Sequence, residues 1–399
     1  MLSARTAWDL TPSALARRVE AARRQGIPLH DLTHANAASL ALPGQVLASA
    51  LAEIAREAAA RRYEPDARGE ASAREAIAAY YGARGTRIAA EHVILTAGTS
   101  EGYAQLFRVL ADPGELVHLP SPGYPLFEHL AELEGLRAAR YRLLPPRGDA
   151  ARWRLDLDGL AASLAPESRA LLAIHPHNPT GSFVAPSDLA SLRSVCAERG
   201  IALLADEVFL DSAASAEEPS VLVGAEQGAL CCVLSGASKL LGVPQLKVGW
   251  IAVSGPPALR DATLARLEFA ADAFLSVSPL LARALPALFA RREEIRAALN
   301  ARVAANRAAL AAALRGVAGS ELLPAEAGWA AIVRIAYAGD EEALALAALD
   351  EARVLIHPGS LFELEAAGAS HLIAGLLAPE EEFAAGARAL AALLAKCAR

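Results

Sequence analysis

Six short apolar runs limit what this chain can fold into more than any other feature it has. They stand at residues 93–96, 115–119, 170–175, 201–205, 230–234 and 248–253. Neighbouring side chains in a strand point to opposite faces, so a nearly unbroken apolar run has to be covered on both sides. Helical or loop text of crossover length separates most of the runs, which predicts a mostly parallel sheet in an α/β unit. In such sheets ligands collect beyond the carboxyl ends of the strands.

At 399 residues the chain exceeds what a single small core needs, so two units are expected. Residues 280–314 read as one long helix, with Leu288, Ile295, Leu299 and Val303 at helical spacing. Beyond it come strand-like text at 329–335, a helix from about Asp340, and strand-like text at 354–357 and 372–377. A last helix opens on Pro379 and three glutamates and ends near Lys396, the charge order its dipole favours. Near the start, Thr11-Pro12 reads as a helix opening and Gly26 as its stop. The first 45 or so residues are expected to pack with the C-terminal part.

With 54% apolar and 21% charged residues, the composition is that of a folded globule. A net charge of -7 without a long basic run argues against nucleic acid as a partner. No uninterrupted apolar stretch is long enough for a membrane span, and the N-terminus shows no apolar signal core. Cys196, Cys231, Cys232 and Cys397 lack metal-ligand spacing and read as reduced thiols of a cytoplasmic protein; no metal site is expected.

Chemistry-bearing residues gather at the ends of the apolar runs. Gly236-Ala237-Ser238 leads into Lys239 on a loop after the 230–234 run, and Lys247 precedes Val248-Gly249-Trp250. A lysine at a strand end can condense with an aldehyde, and pyridoxal phosphate is the commonest cofactor that needs this. Taken alone, a solvated loop lysine reads the same way. Gly98-Thr99-Ser100 opens a helix, where backbone N–H groups can close on a phosphate or merely be capped. Tyr124 suits stacking on a flat ring, or packing on the core. Asn178, in an Asn-Pro-Thr-Gly turn, could donate its amide to a phenolic oxygen. Asp206 closes the 201–205 run, where a carboxylate needs a partner. A protonated pyridine nitrogen is one candidate; a helix cap or an ion pair is another.

Together these residues supply every group of a pyridoxal phosphate site, in a consistent order. On these motifs the sequence resembles the fold-type-I pyridoxal phosphate enzymes, class I/II aminotransferases in particular. The resemblance runs from residues 31–36 through 63–69 to His357-Pro358-Gly359. It implies a large α/β domain at 46–280 with a mostly parallel seven-stranded sheet flanked by helices. A smaller α+β domain would form from both chain ends, 1–45 and 281–399. The implied cofactor is pyridoxal 5′-phosphate, and the implied reaction moves an amino group from an amino acid to a 2-oxo acid.

By the same resemblance, Lys239 would hold the cofactor as a Schiff base and move the Cα proton. Asp206 would pair with the pyridine nitrogen, Asn178 with the ring oxygen, and Tyr124 would stack on the ring. Gly98, Thr99, Ser100, Ser238 and Lys247 would hold the phosphate. Tyr63 would reach it from a second subunit, implying a homodimer with shared active sites. A lyase acting by β-elimination, or a racemase, is the alternative on the same fold. A cofactor-sensing transcription regulator would carry a DNA-binding module ahead of this text, and the resemblance begins too near the N-terminus to expect one.

Three positions depart from the family pattern. Phe209 stands where many members have a tyrosine that donates to the ring oxygen. Lys247 replaces a phosphate-binding arginine, a point charge for a planar fork. Ile373 occupies the place of the arginine that clamps the substrate carboxylate, and Ala35-Asn36-Ala37 stands where a glycine often lies close to it. Either Asn36, Asn178 or Arg334 takes that carboxylate, or the substrate is not an ordinary α-amino acid.

Overall fold

A computed structural model describes residues 2–57, 62–146, 152–213, 218–226, 228–337, 339–364 and 368–397, the Cys397 side chain excepted. The apolar runs form one eight-stranded sheet. Its order across the sheet is Val93–Thr96, Gly249–Ser254, Cys231–Gly236, Ala202–Asp206, Ser168–Ile174, Leu116–Ser121, Arg137–Leu144 and Arg154–Leu155. The five strands from Cys231–Gly236 to Arg137–Leu144 are mutually parallel. Gly249–Ser254 is antiparallel to both its neighbours.

The expected mostly parallel sheet flanked by helices is therefore present, with eight strands where seven were expected. Arg137–Leu144 carries three arginines and one face only half-buried, so its apolar signal is diluted. The two-residue strand Arg154–Leu155 is too short to leave one.

Alternation decides what each strand residue touches. In Ala202–Asp206, Leu203 and Ala205 enter one apolar cluster, while Ala202 and Leu204 enter the cluster on the other face. Asp206 continues the second set and lands on the side of helix Thr99–Leu110, whose Tyr103 belongs to that cluster.

A second, four-stranded antiparallel sheet runs Ser320–Leu322, Ala330–Ile335, Ser370–Gly375 and His357–Pro358. The two chain ends meet directly: His30–Asp31 pairs in parallel with Val354–Leu355. The long helix expected at 280–314 is three pieces, Pro279–Ala282, Leu285–Ala290 and Arg292–Leu314. Pro286 accounts for the first break, since its ring clashes with the carbonyl four residues back. The first long helix begins at Ala14 rather than at Pro12, because the Ser13 hydroxyl takes the cap by accepting from the Ala16 N–H at 3.1 Å. Among the described residues, no helix is long and apolar enough to cross a membrane.

Candidate active site

Five strands deliver their carboxyl ends to one edge of the large sheet. Thr96, Ser121, Ile174, Asp206 and Gly236 end there, each followed by one of the motifs read from the sequence. The antiparallel strand arrives at the same edge by its amino end, with Gly249 opposite both Thr96 and Gly236. That reversal brings Lys247 to the site.

A cavity of about 640 Å³ lies over this edge. Gly98, Thr99, Ser100, Tyr124, Asn178, Asp206, Phe209, Ser238, Lys239 and Lys247 all line it. Thr33, Ala35, Tyr103, Leu126, Phe127, Trp329, His357, Phe362 and Ile373 line it too. Three expected residues do not. Asn36 spends its side-chain oxygen on the Ala38 N–H at 3.0 Å and is exposed. Tyr63 is 78% exposed, turned away from this chain's own core. Arg334 is a correction: it shares a strand face with the cavity-lining Ala330 but lies four residues further along, exposed and in an ion pair with Glu321, and does not reach the cavity.

At one end of the cavity the wall is backbone. Gly98 sits at φ +114°, a conformation side chains disfavour, and caps helix Thr99–Leu110 without a side-chain bond to the first-turn N–H groups. A Cβ on Gly249 would lie 2.9 Å from the Gly98 carbonyl carbon and 3.0 Å from the Thr99 nitrogen. Lys247 adopts the left-handed conformation at φ 55°, and its Nζ lies 3.6 Å from where a Gly98 Cβ would be. A helix start, glycine-only contacts and a cation thus converge, the ingredients of a phosphate cradle.

Further along, Asp206 is buried and accepts from the Tyr103 hydroxyl at 2.7 Å and the Val208 N–H at 3.0 Å. Burial pushes its carboxyl above the ordinary range, while the Val208 and Tyr103 bonds and the Lys239 charge pull it back. Tyr103 escaped the sequence reading. Its position four residues after Thr99 was the available signal, since one helix then serves both the phosphate end and the carboxylate.

Lys239 stands on a one-turn helix, Ala237–Leu240, rather than in a loop. Its Nζ lies 5.3 Å from the Trp329 ring centre and 5.9 Å from that of Phe209, two rings packed edge to face. Its recorded acceptor, the Ala35 carbonyl, is at a marginal 3.5 Å. Burial pulls its ammonium below the ordinary 10.5, with Asp206 opposing. An amine so placed loses its proton more readily than a surface lysine, as a nucleophile must. Phe209 brings no hydroxyl to the site.

These residues fit a flat, anionic, phosphorylated aldehyde such as pyridoxal phosphate. The glycine cradle and Lys247 suit the phosphate, the under-partnered Lys239 amine suits the aldehyde, and Asp206 suits a ring cation.

The chain is similar to known proteins in sequence and in fold. The S-alkyl-thiohydroximate lyase SUR1 of Arabidopsis thaliana is 29% identical over 249 residues, 61% of this chain and 53% of that protein. Human tyrosine aminotransferase is 33% identical over 187 residues, 46% of this chain and 40% of the other. The matched stretch spans about half the length of such curated relatives. Among solved structures, an alanine aminotransferase from Pyrococcus furiosus aligns over 99% of this chain and 100% of its own, with TM-score 0.88 and 20% identity. Aspartate aminotransferase of Thermus thermophilus aligns over 98% and 99%, with TM-score 0.83 and 22% identity. These structural likenesses speak to the fold. The pattern described as Aminotransferase class I and II matches residues 32–372, and the chain belongs to that family.

Proposed function

We propose that this protein is a pyridoxal phosphate-dependent aminotransferase that moves an amino group from an amino donor, in the family's general case an amino acid, to a 2-oxo acid. The observation that carries the proposal is the placement of Lys239: an under-partnered amine beside two mutually packed aromatic rings, in one cavity with the buried carboxylate of Asp206. When bound, the cofactor supplies an electron sink for the bonds at the substrate's Cα.

The chain's own residues do the rest. Gly98, Thr99, Ser100, Ser238 and Lys247 hold the phosphate. Tyr103 and the Val208 N–H orient Asp206, whose charge faces the ring nitrogen. Asn178 addresses the ring oxygen alone, because Phe209 cannot donate. Tyr124 covers the ring. The Lys239 amine would take the substrate's Cα proton as general base and give a proton back as general acid.

Tyr63, exposed on this chain, would contribute to the phosphate site of a second copy, making a homodimer with shared active sites. Free, buried Cys196, Cys231 and Cys232 support a cytoplasmic setting. The domain division at about residues 45 and 280 belongs to the same proposal. The test is a paired assay on purified protein with cofactor: donor consumption and 2-oxo acid-dependent product formation, in wild type and Lys239→Ala. Stoichiometric transfer in the wild type alone upholds the proposal. Release of ammonia without transfer would replace it with the lyase reading, to which the Arabidopsis relative's name also points, and release of the opposite enantiomer with the racemase reading.

A further inference from the structure

The cavity is short of charge where a substrate would sit. Among the described residues lining it, Lys239 and Lys247 are the only lysines or arginines. One is committed to the aldehyde and the other to the phosphate. The rest of the lining includes Leu126, Phe127, Trp329, Phe362 and Ile373, and the Thr33 hydroxyl, the Asn178 amide and the Trp329 indole N–H in it are uncharged donors. Ile373 is 2% exposed, and its backbone is fixed between Ile332 and His357 in the small sheet. Its side chain packs in an apolar cluster with Phe362 and Trp153, so the wall cannot readily turn a polar group inward.

The nearby arginines are engaged elsewhere: Arg334 with Glu321, and Arg140 with Glu128 and Glu363. His357 does line the cavity, yet burial lowers its affinity for a proton despite the opposing pull of Asp31. A carboxylate laid against Ile373 would therefore shed its water and gain no ion pair. An uncharged substituent there sheds little and gains apolar burial.

Resting on the amino-transfer reading, we propose that the group placed against Ile373 is neutral, so that the preferred donors are apolar primary amines or amino-acid amides rather than free amino acids. In the transfer, the donor's C–N bond is replaced by C=O. That carbon gives up two electrons and the amino group, and one water supplies the oxygen. The acceptor's C=O becomes C–N, taking up both and releasing one water.

The test is calorimetric titration of the holoenzyme with three donors that share one ring: 2-phenylethylamine, phenylalaninamide and phenylalanine. Both carboxylate-free donors are expected to bind about tenfold or more tightly than phenylalanine, the scale of an unpaired polar group. Ile373→Arg should reverse the order. Phenylalanine binding as tightly as either carboxylate-free donor would overturn the proposal, and the wild-type ranking decides it even if the variant does not fold. Carbonyl product is assayed in parallel. Its absence with all three donors sinks amino transfer while leaving the charge ranking readable.

Discussion

Around Gly98, Gly236 and Gly249 the cavity is bounded by backbone, whereas around Ile373 it is bounded by Leu126, Phe362 and Trp329. The first end has few side chains to adjust: a Cβ on Gly236 would meet the Gly249 Cα and the Val248 carbonyl oxygen, both at 3.2 Å. The second is mostly large apolar side chains, which can be exchanged without touching the strands that hold the first. A fixed anion site beside a replaceable wall is how one scaffold keeps its cofactor while changing its substrate. Asp206 lies between the two, oriented by a hydroxyl from the helix that starts the anion site.

Removing the group between the ends should do most damage. Asp206→Ala is expected to lower the turnover rate by about 10²-fold or more, the scale of losing one preorganised charge. Cofactor stoichiometry, read by absorbance, should stay near wild type because the phosphate end is intact. Equal loss of cofactor and rate would mean the two ends are not independent.

The glycine end breaks next. Gly249→Ala drives a methyl into the Gly98 and Thr99 backbone, and overpacking of this kind costs about 1–3 kcal/mol. Weaker cofactor binding and a lower melting temperature are expected together, while the ranking among donors stays unchanged. A changed ranking would show that the cradle also shapes the substrate wall.

Lys247→Gln should do least, weakening cofactor binding about tenfold and flattening its dependence on salt, since a long-range charge is lost and the N–H groups remain. Unaltered affinity and salt dependence would show that backbone alone holds the phosphate.

Much of the site was legible because each motif follows an apolar run, and a strand-ending residue has its direction set by the strand. Asp206 is the clearest case: alternation along Ala202–Asp206 assigns its face before any partner is known. Tyr103, Trp329 and Phe362 were not legible. Each looks like an ordinary core aromatic, and only the folded chain brings them to Asp206, Lys239 and Tyr124. Arg334 shows the converse, a residue with the right charge on the face of its strand that Ala330 turns to the cavity, but four positions further along and paired with Glu321.

By itself, then, the sequence determined the α/β class, the parallel order of most strands and the set of reactive groups at their ends. Those follow from short-range rules, hydrophobic period and turn chemistry, that act within a few residues. Tertiary structure alone decided the eighth strand, the register in which the chain ends pair, and which aromatic side chains join Ile373 in the substrate wall. Ile373, Phe362 and Trp329 lie far along the chain from Lys239, and which side chains face one another across a cavity depends on packing between sheets, which no local pattern encodes.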